Sequence, residues 1–258
     1  MSKTAIEIHD LTVSYNRKPV LWGIDCDLPS GEMTAIIGPN GAGKSTLMKA
    51  MLNLIPCASG YTKFFGESIN DIRSKVSYMP QRESVDWDFP ITVEQVVMMG
   101  RNHAIGLMKR PRQSDNLLVT RALQQVGLES FAKRQISELS GGQQQRVFLA
   151  RALVQDAEIF LMDEPFAGVD TATEEMILDT LHSMKASGKT LVVIHHDLLS
   201  VSKHFDNALL LNLRKIAFGK TDEVLNDSIL QETYGGKLSI LSEVGQLLAI
   251  QQRNTRKG

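Results

Sequence analysis

The sequence predicts an α/β protein built on a central, mostly parallel sheet. Three apolar runs carry that expectation: Thr34 to Ile37, Ile159 to Met162 and Leu191 to Ile194 are each bounded by polar residues or glycine, as strands buried on both faces are. Helical patterns fill the gaps between them, and alternating strand and helix signals are what a wound sheet produces. A chain of 258 residues, 43% of them hydrophobic, can bury the core of one α/β domain or of two small ones.

From the N-terminus, Leu11, Val13 and Tyr15 alternate with polar residues, the period-two pattern of a half-buried strand. Thr62 to Phe65 and Val76 to Met79 read as further short strands, which together predict a small mixed sheet near the N-terminus. The apolar-periodic segment Leu47 to Leu54, ended by Pro56, predicts a helix. Between Arg82 and Ser137 strand signals vanish; helices are expected around Val93 to Met99 and Ser114 to Val126, with the basic run Lys109-Arg110-Pro111-Arg112 between them. That stretch reads as a helical insertion. A helix is expected from Gln143 to Leu153. Further on, Thr171 and Glu174 form a capping-box pattern, Ile177, Leu181 and Met184 follow at helical spacing, and Gly188 closes the segment. After Gly235-Gly236 a tail to Gly258 carries one apolar helical stretch, Ile240 to Ile250.

Composition narrows the function. A formal net charge of -1 gives no general electrostatic reason to bind nucleic acid. The two cysteines, Cys26 and Cys57, match neither a zinc-ligand spacing nor a CxxC pair, which fits a reducing cytosol. Met1 to Asp10 mixes charged and apolar residues where a signal peptide would have an apolar core, and no run approaches ~18 apolar residues. The chain is not expected to cross a bilayer by itself.

The strongest chemical signal is Gly38-Pro39-Asn40-Gly41-Ala42-Gly43-Lys44-Ser45-Thr46, which matches G-x-x-x-x-G-K-[ST] between a buried strand and a helix. Glycines let the backbone curl so that its N–H groups face phosphate oxygens, and the helix that follows aims its positive end at the same anion. Lys44 is expected to reach the β- and γ-phosphates, and Ser45 to place its hydroxyl on Mg²⁺, a cation that takes oxygen ligands. At the end of a second buried strand stand Asp163 and Glu164, followed by Pro165, the place where an open parallel sheet carries its ligand groups. Asp163 is expected to orient the magnesium shell. Glu164 is then the group that polarises water for attack on the γ-phosphate.

Leu139-Ser140-Gly141-Gly142-Gln143-Gln144-Gln145-Arg146 resembles the signature of ATP-binding cassette proteins, and the resemblance runs over nearly the whole chain to about Gly219. Read from the residues, Ser140, Gly141 and Gly142 offer a hydroxyl, backbone donors and a helix N-terminus to a second anion. The resemblance implies more. The signature, Ser140 to Gln143, would close over ATP held by a partner subunit, so that two chains sandwich two nucleotides. Tyr15 resembles the aromatic that stacks on adenine, Gln81 the glutamine that links magnesium to a helical subdomain, and Asp170 the aspartate at the dimer interface. His196, directly before Asp197, resembles the switch histidine that contacts the γ-phosphate, leaving His195 to pack in the strand end. Phe166-Ala167-Gly168-Val169-Asp170 departs from the commoner Ser-x-Leu-Asp pattern. Together with Tyr78 to Pro90 and Val96 to Arg101, it is similar to importers of manganese, zinc or iron. Trp87 and Phe89 stand where the family grips a short helix of its membrane partner, and the alternative is that both are core residues of the helical insertion.

The resemblance therefore implies a P-loop ABC ATPase with a parallel-sheet core, an N-terminal antiparallel β subdomain and an inserted helical subdomain. Its ATPase domain would span 1–235, with the insertion at about 84–136 and a tail at 236–258. ATP and Mg²⁺ are the expected ligands. The expected partners are a second copy of the chain, an integral-membrane permease and, indirectly, an extracytoplasmic metal-binding protein, with this chain peripheral on the cytoplasmic face of the membrane. Nucleic acid is not expected. The rivals are a soluble cassette ATPase acting on nucleic acid or ribosomes, an importer of another substrate, and a module that binds ATP without hydrolysing it; Glu164 and His196 argue against the last.

Overall fold

The structure is a computed structural model that describes residues 3–15, 18–106 and 109–235; at residues 15, 18 and 19 only the backbone is described. In chain order the elements are β1 (Thr4–Tyr15), β2 (Lys18–Pro29), β3 (Met33–Ile37), α1 (Lys44–Met51), β4 (Ser59–Phe64) and α2 (Ile69–Ile72). There follow β5 (Val76–Met79), α3 (Val93–Met99), α4 (Asn102–Ile105), α5 (Gln113–Gln125), α6 (Gly141–Leu153), β6 (Ile159–Met162) and α7 (Thr171–Ala186). The described residues end with β7 (Thr190–Ile194), α8 (Leu198–His204), β8 (Asn207–Asn212), β9 (Arg214–Lys220), α9 (Thr221–Val224) and α10 (Asp227–Tyr234). The expected helix Ile240 to Ile250 lies outside the described residues. No helix among the described residues is long and apolar enough to cross a membrane.

These elements form two compact units, Met1–Ile69 with Val192–Gly258, and Asn70–Leu191. In the first, an antiparallel sheet of order β2-β1-β4 pairs Ile8 with Cys26 and Val13 with Leu21. Alternation puts Ile6, Ile8, Leu11 and Val13 of β1 and Leu21, Ile24, Cys26 and Leu28 of β2 in the core. In the same unit β3 runs parallel to β8, with Ile36 opposite Leu209, and β9 returns antiparallel beside β8. All five residues of β3 are buried, which is why the run reads as continuously apolar.

In the second unit β5 lies parallel to β6, with Tyr78 opposite Leu161. This corrects the sequence expectation that Val76 to Met79 joins the small N-terminal sheet. Four mostly buried residues say that a strand exists, but not which partner it takes. Helices α3, α5 and α6 pack together in this unit. Gln95 starts α3 by accepting the Thr92 N–H at 2.9 Å, and Val93, Val96 and Val97 form its buried stripe. Arg101 pairs with Asp115 at 3.1 Å and donates to the Val154 carbonyl at 3.0 Å, so the segment after α3 is tied to both α5 and the end of α6. Helix α7 is capped by Asp170, whose carboxylate accepts the Thr173 N–H at 2.8 Å. The Thr171 and Glu174 capping box is thus displaced by one residue, because an ionised carboxylate already sits at the cap and is the stronger acceptor.

Candidate active site

In the first unit the phosphate loop joins β3 to α1. Gly41 and Gly43 have φ of 82° and 92°, left-handed values that permit the curl and cost other residues strain. A Cβ on Gly38 would lie 2.0 Å from the Leu211 carbonyl oxygen, and one on Gly43 would lie 2.6 Å from the Leu21 side chain. The loop is seated against the β8–β9 turn, where the Leu213 N–H donates to the Ala42 carbonyl at 2.9 Å. Within the loop the Ala42 N–H donates to the Pro39 carbonyl at 3.1 Å. Asn40 is exposed, and Ser45 and Thr46 are half-buried in the first turn of α1. Lys44 is buried and folds back across the loop, donating through Nζ to the carbonyls of Gly38 at 2.9 Å and Pro39 at 3.0 Å. No acidic residue occupies the first turn of α1, so its positive end is not compensated from within the helix. A phosphate entering this curl meets N–H groups and an ammonium already oriented.

The two histidines stand at the end of β7. The His195 N–H donates to the Ile36 carbonyl at 3.2 Å, which sets this strand end beside the one that feeds the phosphate loop. His195 itself is buried edge-on to Phe205, and its Nδ1 accepts the Asp197 N–H at 3.0 Å. Burial pushes its pKa down to about 4, so the ring is a neutral packing element. His196 is exposed, with its backbone fixed between that buried neighbour and Asp197, the cap of α8. Tyr15 ends β1, and its side chain lies outside what is described.

In the second unit β5 and β6 end side by side, with the Asp163 N–H on the Met79 carbonyl at 2.9 Å. That brings Gln81 to the acids: its Nε2 donates to Glu164 Oε2 at 3.1 Å. Asp163 is fully buried. Glu164 has φ of 54°, a left-handed value for a residue with a side chain, and Gln145 Nε2 holds its carbonyl at 2.9 Å. At the start of α6, Ser140 and Gln143 cap each other: the Ser140 N–H donates to Gln143 Oε1 at 2.9 Å and the Gln143 N–H to Ser140 Oγ at 3.3 Å. Gly141 and Gly142 then open the helix. Asp170 is spent on capping α7, and that hydrogen bond from Thr173 holds its carboxyl below the usual range. Trp87 and Phe89 part company. Trp87 packs against Phe148 with ring centroids 5.1 Å apart and the planes tilted by 59°, and donates to the Arg82 carbonyl at 2.8 Å, whereas Phe89 is 56% exposed.

Two groups escaped the sequence reading. Arg82 and Gln144 are joined by two hydrogen bonds beside Gly141, and Tyr234 at the end of α10 accepts the Gly38 N–H. Long polar side chains next to motifs carry no periodic signal, and a contact across 196 residues of chain carries none at all.

A family model described as ABC transporter matches residues 21–167. The chain belongs to the ABC transporter family. Among curated relatives it is 54% identical over 92% of its length, and 95% of the relative's, to the manganese transport system ATP-binding protein MntB of Bacillus subtilis. It is 52% identical to the zinc transport system ATP-binding protein TroB of Treponema pallidum, over 91% of this chain and 88% of that one. A solved ABC transporter in an inward-facing conformation superposes with a TM-score of 0.79 at 27% identity, over 90% of this chain and 88% of that one. This ABC subunit is therefore the ATP-binding component of a transporter, and it hydrolyses ATP.

Proposed function

We propose that this subunit powers import of a divalent transition metal, manganese first and zinc or iron next. Identity of 54% and 52% to ATP-binding proteins named for manganese and zinc transport, over more than nine-tenths of the chain, carries the reading. Those names do not favour a role on nucleic acid or ribosomes. The subunit works as a homodimer on the cytoplasmic face of the membrane, bound to an integral permease that receives metal from an extracytoplasmic binding protein. The catalytic cassette spans residues 1–235, with the helical subdomain at about 84–136.

In this reading the backbone of residues 38–46, with Lys44, cradles the triphosphate, and Tyr15 stacks on the adenine. Ser140, Gly141, Gly142 and Gln143 of one copy face the nucleotide held by the other, with Asp170 at the interface. Ser45, Asp163 and Gln81 offer a hydroxyl, a carboxylate and an amide oxygen, the hard donors that Mg²⁺ takes. The Gln81 hydrogen bond to Glu164 uses the amide nitrogen and so keeps the oxygen for a cation. Bound Mg²⁺ would offset charge on the phosphates. Glu164 accepts a proton from the attacking water, and His196 steadies the γ-phosphate. ATP binding shifts the permease between access states only through different affinities for the open and closed dimers.

A deletion strain should lose uptake of radioactive manganese, zinc or iron under metal starvation, and the wild-type gene should restore it where Glu164→Gln does not. Normal uptake of all three, with no second importer expressed, refutes metal import and leaves the ATPase untouched.

A further inference from the structure

The site described above uses Gln81 and the signature Ser140–Gln143 but leaves open what connects them. In the second unit the side chain of Arg82, the residue after Gln81, bonds directly to the first turn of α6. Arg82 donates through Nε and Nη2 to Gln144 Oε1 at 3.1 and 2.9 Å, a fork closing on one acceptor. Gln144 is buried, and its own amide donates to the Ile136 carbonyl at 3.2 Å, so the acceptor is fixed before Arg82 reaches it. The guanidinium also lies against Gly141, where a Cβ would come within 3.1 Å of its central carbon.

The other end of the fork is equally held. The Arg82 carbonyl accepts from Trp87 Nε1 at 2.8 Å, and the indole packs on Phe148 of α6. Ser84 Oγ donates to the Gln81 carbonyl at 2.6 Å. Gln81 itself reaches Glu164. Hydrogen bonds from Gln81 to Glu164 and from Arg82 to Gln144, joined by the Gln81–Arg82 peptide bond, therefore lead from Glu164 to the first turn of the signature helix.

We propose that Arg82 is a positioning residue that makes the Gln81 segment and the N-terminus of α6 one mechanical piece. The inference rests on the two-subunit reading above. In that arrangement Gln81 and Glu164 serve the ATP held by their own chain, whereas Ser140 and Gly141 serve the ATP held by the partner. The fork thus links two different ATP sites, and closure of the signature over one nucleotide sets the glutamine and glutamate at the other. Coupling of this kind has a measurable signature in cooperativity. Arginine is needed because a planar fork fixes direction as well as distance, which a lysine ammonium does not.

The test compares full-length wild type, Arg82→Ala and Arg82→Lys, with MgATP affinity measured on the chain at dilutions where it is monomeric and turnover measured against ATP at high protein concentration. Wild type should be sigmoidal in ATP. Arg82→Ala should become hyperbolic and lose about tenfold in turnover, the effect of deleting a charged hydrogen bond. Its monomer affinity should stay within about twofold, since no nucleotide contact is removed. Arg82→Lys should fall between the two, and it carries the comparison if the alanine variant melts near the assay temperature. A sigmoidal wild type with both variants equally sigmoidal and equally fast overturns the proposal alone. A hyperbolic wild type, together with Glu164→Gln that stays monomeric on sedimentation with ATP, overturns the two-subunit reading and the proposal with it.

Discussion

Glu164 lies in the left-handed region immediately before Pro165, a conformation that costs a residue with a side chain roughly 1–3 kcal/mol. Gln145 and the Ala167 N–H both hold its carbonyl, and Gln81 holds its carboxylate, so the strain is offset by bonds that aim the side chain. Glu164→Gln can keep every one of these contacts and removes only the carboxylate proposed as the base. It should bind MgATP normally while turnover falls about 10²–10⁴-fold, the usual worth of general-base catalysis. Phosphate-release rates near wild type would remove Glu164 from the mechanism. His195 gives a pH prediction. Its folded pKa of about 4 lies below the ordinary 6.5, so between those values the unfolded chain binds a proton that the folded one refuses. Stability is complete above pH ~6.5 and declines as pH falls toward 4, by something on the order of 3 kcal/mol. Urea midpoints should show this slope in wild type and lose it in His195→Gln, whose amide oxygen can still accept the Asp197 N–H.

At the scale of elements, the phosphate loop is shaped from outside as much as from within. Gly38 is pinned on three sides: its carbonyl by Lys44, its N–H by Tyr234, and its Cα by the Leu211 carbonyl. Gly38→Ala must move backbone, so it should cost about 1–3 kcal/mol or more in thermal unfolding as well as nucleotide affinity. Gly41→Ala meets nothing within 4 Å, and its cost is that of a left-handed φ, about 1–2 kcal/mol. Equal melting temperatures for Gly38→Ala and wild type would show that the turn yields. The segment after β5 divides in the same way. Trp87→Ala removes the indole that packs against Phe148 and should destabilise the fold by about 2–3 kcal/mol. Phe89→Ala, at an exposed position, should leave stability within about 0.5 kcal/mol while weakening co-purification of the permease. Retained permease binding would end the interface role of Phe89.

At the scale of the whole molecule, the chain builds its first compact unit from both ends of the sequence and its second from the middle. The phosphate loop and His196 belong to the first, and Gln81, the acidic pair and the signature to the second. The phosphate loop, the strand-end acids and the signature cap were legible from the residues, because each needs particular residue types at short, fixed spacing, whereas Gln81 and His196 rested on resemblance to the family. The sequence also located β3, β6 and β7, whose burial makes continuous apolar runs, and α3, α5, α6 and α7, whose apolar faces recur at helical period. It missed β2, β8 and β9. In β9 every residue is exposed or half-exposed and no alternation survives, while β8 reads as an apolar run that a buried helix could equally supply. The partner of β5, the cap of α7, the separate environments of Trp87 and Phe89, and the fork from Arg82 to Gln144 were settled by tertiary structure alone. Each depends on which distant group comes within about 3 Å, and hydrogen bonding at that range is set by the packed backbone, of which local sequence spacing carries no record.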